Sequence, residues 1–148
     1  MNSRAALEQA FSISITPLQQ AWRVAANAAI PTELGLSLAL SWPLVVIFNE
    51  GGRIRQQDLV SKLGLEKSTL ARTVEQLVAA ALIKRVADHD NRRSNILELT
   101  PEGNRLGAQL EPIVRQFRAS ALSDVSDDEL KTCLSVFARL SATLEIER

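Results

Sequence analysis

The sequence predicts a mainly α fold with one small β-hairpin, and three observations carry that expectation. Aromatic residues are few, tyrosine is absent, and the apolar positions are mostly Leu, Ala, Val and Ile, which suits helices packed on helices. Apolar residues recur at helical spacing along most of the chain, while strand-like alternation is confined to two short runs, Leu82 to Val86 and Ile96 to Thr100. At 148 residues the chain fits a single domain with one core.

Element by element, Thr16 and Pro17 read as a helix start, a hydroxyl at the N-cap followed by a residue lacking an N–H that the first turn cannot use; Gln19 completes a capping box. Leu18, Ala21, Trp22, Ala25 and Ala29 then mark a helix of about four turns that stops at Pro31. The run from Ser37 to Glu50 is apolar nearly all round and predicts a deeply buried helix ended by Gly51 and Gly52. Pro43 inside it costs about 3 kcal/mol in a helix interior, which predicts a kink or a late start.

RQQDLVSKLG predicts a short helix closed by Gly64, and a second helix follows from about Glu66 to Ala81; two such helices across a tight turn form a helix-turn-helix. The position that would cap the first of them is Arg55, which forgoes a cap worth about 1 kcal/mol. The polar stretch ADHDNRRSN joins the two strand-like runs as a hairpin tip, so the helix-turn-helix acquires a wing. Thr100–Pro101 opens another helix, with Leu106, Leu110, Ile113, Phe117 and Ala121 on one face. Ser126 and Glu129 form a capping box for a last helix whose seam holds Leu130, Cys133, Leu134, Phe137, Leu140 and Leu144, too wide to be left in water.

Net charge is zero, but its distribution is uneven. From Arg53 to Arg105 ten Lys or Arg face seven Asp or Glu, a balance of +3, and the remainder carries −3. Single residues of Cys and His leave too few soft ligands for structural zinc, and one cysteine makes no intrachain disulfide, so a reducing, cytoplasmic setting without metal or cofactor is expected. The N-terminal MNSRAALEQAF has no signal-like apolar core, and LALSWPLVVIF is too short to span a bilayer. No nucleophile–base pair, phosphate-cradling Gly-rich loop or catalytic carboxylate pair stands out, which argues against an enzyme.

The second short helix carries the functional signal. At 100° per residue Leu70, Val74 and Leu77 fall within about 60° of one another, with Ser68, Arg72 and Gln76 opposite. Ser68, Thr69, Arg72 and Gln76 suit base edges and phosphates in a major groove about 12 Å wide, and Lys67 at the helix start suits a phosphate. The plain alternative is a solvated helix face. Arg92 and Arg93 at the hairpin tip add a basic finger able to reach a neighbouring minor groove.

This stretch resembles the MarR family of bacterial transcriptional regulators. LGLEKSTLARTVEQLVAAALIKR resembles the family's turn and recognition helix, and DNRRSNILELTPEG its wing, second strand and following helix start; the flanking helices agree in order and length. The resemblance implies one domain over 1–148, with a winged DNA-binding part at 36–100 and dimerisation helices at 1–35 and 101–148. It places the DNA-facing positions on Ser68, Thr69 and Arg72 and the wing arginine on Arg93. It further implies a homodimer on pseudo-palindromic double-stranded operator DNA, and a repressor released by a small, commonly aromatic or phenolic, effector. Trp22 and Trp42 are the candidates to line that effector's pocket, against plain core packing. Two positions depart from the family pattern: Asn91 stands where an aspartate is usual, and Ala71 where a hydroxyl is common.

Other residues read more plainly. Cys133 suits helix packing better than redox sensing, His89 a solvated loop better than a metal or pH sensor, and Asp127, Asp128 and Glu129 the positive end of a helix dipole. The rival to a DNA-binding regulator is a winged-helix protein-interaction module in which the basic face is incidental.

Overall fold

The computed structural model describes residues 3–144, so the first two and last four positions of the expected domain lie outside the described residues. Helix α1 spans Arg4–Ala29, α2 Leu38–Asn49, α3 Gln56–Leu63, α4 Lys67–Ala79, α5 Pro101–Ala121 and α6 Asp127–Thr143; strands β1 (Arg53–Arg55), β2 (Ile83–Ala87) and β3 (Asn95–Leu99) form one small sheet.

The start of α1 corrects the reading of Thr16–Pro17. The helix begins thirteen positions before Pro17, at Arg4, capped by Ser3, whose hydroxyl accepts from the Ala6 N–H at 3.2 Å, and it continues through Pro17 to a length of about 39 Å. A proline at a first turn and one inside an exposed helix look alike locally. Upstream Ala, Leu, Glu and Gln favour helix, Arg4 pairs with Glu8 at 2.7 Å, and on this exposed surface water can satisfy the carbonyl that Pro17 leaves unpaired.

Of the two outcomes expected at Pro43, a late start is excluded, since α2 starts at Leu38 and Pro43 is its sixth residue. Asn27 on α1 accepts the Leu38 N–H at 3.0 Å, which fixes that start, and burial of Leu44, Val45 and Ile47 offsets the lost backbone bond.

The sheet is antiparallel with order β1-β3-β2 and pairs Ile54 with Leu97, Arg85 with Leu97 and Ile83 with Leu99. Each hairpin strand lies within one residue of its expected bounds. Strand β1 is an addition to the hairpin, too short at three residues for alternation to reveal it. Leu82, Ala81 and Thr100 lock the sheet to α5. The Thr100 hydroxyl donates to the Ala81 carbonyl (2.6 Å) and accepts the Gly103 N–H (3.0 Å), and a Cβ at Gly103 would stand 1.9 Å from the Leu82 carbonyl oxygen. Only glycine admits that approach.

The core gathers Leu44, Ile47, Leu59, Leu70, Leu77, Leu97 and Leu110 from α2 to α5 and β3, all fully buried. At the two ends of the chain the picture inverts. Helix α1 buries only Ala26, and α6, held at its start by the expected Ser126–Glu129 capping box, buries no residue; Cys133 is exposed along with Leu134 and Phe137.

Candidate DNA interface

Helix α3 ends on Gly64, whose left-handed φ of 63° reverses the chain and lets its N–H bond the Val60 carbonyl at 3.0 Å. Three residues later α4 begins. Leu70, Val74 and Leu77 turn into the core with Thr73, whose hydroxyl bonds the Thr69 carbonyl at 3.2 Å. The opposite face is left outward: Lys67, Ser68, Thr69, Arg72 and Gln76 are all exposed, as is Ala71.

From Arg53 to Arg105 the cations divide into two groups. Lys62 pairs with Glu50, Arg53 and Lys84 with Glu98, Arg85 with Glu75 and Arg105 with Glu102. Lys67, Arg72, Arg92 and Arg93 have no ion-pair partner among the described residues. The Arg85–Glu75 pair links β2 to α4, so the hairpin bearing Arg92 and Arg93 is tied to the helix bearing Arg72.

At the hairpin tip the chain makes two successive turns, Asn91 N–H to the Asp88 carbonyl (3.2 Å) and Ser94 N–H to the Asn91 carbonyl (3.1 Å). The Asn91 side-chain oxygen accepts the Arg93 N–H at 3.1 Å, a turn that asparagine and aspartate make equally well, so the substitution at this position leaves the local bond in place.

Sequence reasoning missed Asp88, which it read only as part of the polar hairpin tip. The carboxylate is buried and accepts from the Ser94 hydroxyl (2.8 Å), the Arg55 guanidinium (2.9 Å) and the Asp90 N–H (3.0 Å). The Ser94 hydrogen bond above all, helped by Asp90 and Arg55 and opposed by burial, holds Asp88 below the usual carboxylate range. His89 next to it is exposed.

A second feature lies between the long helices. An apolar groove of about 500 Å³ is lined by Ala29 of α1 and by Pro112, Ile113, Gln116, Phe117 and Ser120. Trp22 borders it by packing edge-on against Phe117, ring centres 5.1 Å apart at 76°. Trp42 stands apart on the exposed side of α2 and is not among the lining residues. Among the described residues no helix is long and apolar enough to cross a membrane.

Comparison with known proteins bears on this arrangement. The family model described as MarR family matches residues 41–94, which run from α2 through the wing loop. A probable transcriptional regulator from Pseudomonas aeruginosa is 25% identical, with 90% of this chain and 98% of that one covered and a TM-score of 0.71. A mutant MarR from E. coli, solved in complex with operator DNA, is 17% identical over 87% of this chain and 91% of its own, at a TM-score of 0.71. The PcaV transcriptional regulator from Streptomyces coelicolor, solved with its natural ligand, is 23% identical over 95% and 93%, at a TM-score of 0.69. That segment is therefore similar to the MarR family, and along nearly its whole length the chain has the winged helix-turn-helix fold of the solved MarR-family regulators.

Proposed function

We propose that the chain is a homodimeric, sequence-specific binder of double-stranded operator DNA, not an enzyme, that acts in the cytoplasm as a repressor released by a small ligand. The observation that carries this reading is the outward face of α4, where Arg72 and Lys67 stand without acidic partners beside hydrogen-bonding Ser68, Thr69 and Gln76, next to a wing with two more such arginines. Between Arg53 and Arg105 every other Lys or Arg is ion-paired; these four are left for an outside anion, and phosphate is the anion a duplex supplies.

Two copies would meet through the apolar faces of α1 and α6, presenting two recognition helices to half-sites about 10 bp apart. The E. coli MarR bound to operator DNA supports the first half of the proposal by its shared fold, and PcaV with its ligand supports the second. The groove between α1 and α5 has the apolar lining and aromatic edge to take an aromatic or phenolic effector. A ligand there releases DNA only by binding the non-DNA spacing of the two α4 helices more tightly than the DNA-bound spacing.

Selection of duplexes from a random pool with the purified chain tests the reading. A pseudo-palindromic site is expected, with Arg72→Ala weakening it by about 1–3 kcal/mol and Arg93→Ala chiefly lowering the salt slope. Absent or salt-independent duplex binding would favour a protein-interaction module.

A further inference from the structure

Asp88 is the one buried charged side chain among the described residues, at 5% exposure, and a buried carboxylate is costly unless its oxygens are bonded. Its partners are informative. Asp90 and Ser94 belong to the wing loop itself, so these bonds close the loop from end to end. Arg55 comes from elsewhere, the junction of β1 and α3, 33 residues earlier in the chain.

Arg55 occupies the N-cap of α3 with extended backbone (φ −68°, ψ 138°) and makes no side-chain cap bond. A Ser or Thr at this place would cap its own helix. Arginine reaches across to the wing instead, with a guanidinium whose planar geometry gives the bond to Asp88 a direction as well as a charge.

We propose that Arg55 and Asp88 are positioning residues for the wing: their ion pair, completed by Ser94, fixes the Arg92–Arg93 loop to the start of the helix-turn-helix. The inference rests on the DNA-binding reading above. The wing arginines then meet a duplex already ordered, and the entropy of arranging a seven-residue loop from Asp88 to Ser94 is not subtracted from binding. Arg92 and Arg93 contact the nucleic acid; Arg55 acts through them.

Two measurements on the full-length chain test this. The Arg55 side chain is 43% exposed, so Arg55→Ala is expected to keep the fold. Without DNA, trypsin is expected to cut after Arg92 and Arg93 about tenfold faster in Arg55→Ala and Asp88→Asn than in the wild type, with cleavage after Arg105 unchanged. Equal wing cleavage overturns the clamp. With the selected duplex, Arg55→Ala is expected to weaken binding about tenfold in the wild-type background and less than about twofold in an Arg92→Ala/Arg93→Ala background, because the wing contacts are already gone. Additive losses overturn action through the wing. A wild-type chain that binds no duplex defeats the DNA-binding reading, while proteolysis still decides whether Arg55 holds the loop.

Discussion

Between Leu38 and Leu99, the leucines at 44, 59, 70, 77 and 97 are fully buried within one chain, whereas on the flanking helices Leu18, Leu134 and Leu144 keep 66%, 65% and 68% of their surface in water. Residue type and helical spacing are the same in both regions. Helices α2 to α4 and the sheet are joined by short connections that fold each apolar face onto another, and α5 closes over them through Gly103 and Gly107. Helices α1 and α6 have no comparable neighbour among the described residues. A region's stripe of leucine therefore reports a need for cover, and the connections decide whether the same chain supplies it; in the dimer proposed above a second copy covers α1 and α6.

Substitutions can break this contrast region by region. Leu110→Ala, in the fully buried face of α5, is expected to cost about 2–5 kcal/mol, read as a lowered midpoint in urea, because it empties a site walled by the self-contained core. On α6, Phe137→Glu is expected to weaken self-association by about 2 kcal/mol or more while leaving helical content unchanged, checked by sedimentation against circular dichroism; a dimer as tight as the wild type would show that α6 is not the covered face. Ser126→Ala removes the hydroxyl that accepts the Glu129 N–H at the start of α6, leaving the backbone N–H of position 126 to the Glu129 carboxylate, and is expected to cost about 1 kcal/mol, seen as faster amide exchange in that first turn.

The smallest effect concerns acid. The Asp88 carboxyl titrates below its ordinary value in the folded chain, so its contribution to stability is complete above the ordinary carboxylate range and is lost as pH falls through it toward the folded value. Thermal unfolding of the wild type and of Asp88→Asn is expected to converge on acidification and to separate toward neutral pH. A gap that stays constant across that window would assign the loss to packing in place of charge.

Much of the candidate site was legible because it follows from period and cap chemistry. The outward set Lys67, Ser68, Thr69, Arg72 and Gln76 follows from a 3.6-residue period with Leu70, Val74 and Leu77 inside, and Gly64 and Thr100–Pro101 mark their helix ends by backbone rules that act within a few residues. Pro17 was misread because the same dipeptide serves both as a start and as a tolerated interruption, and the distinction lies in upstream helix and outside water. The role of Asp88 was out of reach for a different reason: its partner Arg55 is brought close only after β1 pairs with β3.

By itself, then, the sequence determined that helices dominate, that a hairpin with two arginines at its tip follows a helix-turn-helix, and which face of α4 stays in water, since each depends on interactions between residues near in the chain. Tertiary structure alone decided that α1 runs unbroken through Pro17, that β1 joins the sheet, that a groove opens between α1 and α5, and that Arg55 spans to the wing. These outcomes depend on free energies gained between segments tens of residues apart, which local propensity and spacing do not encode.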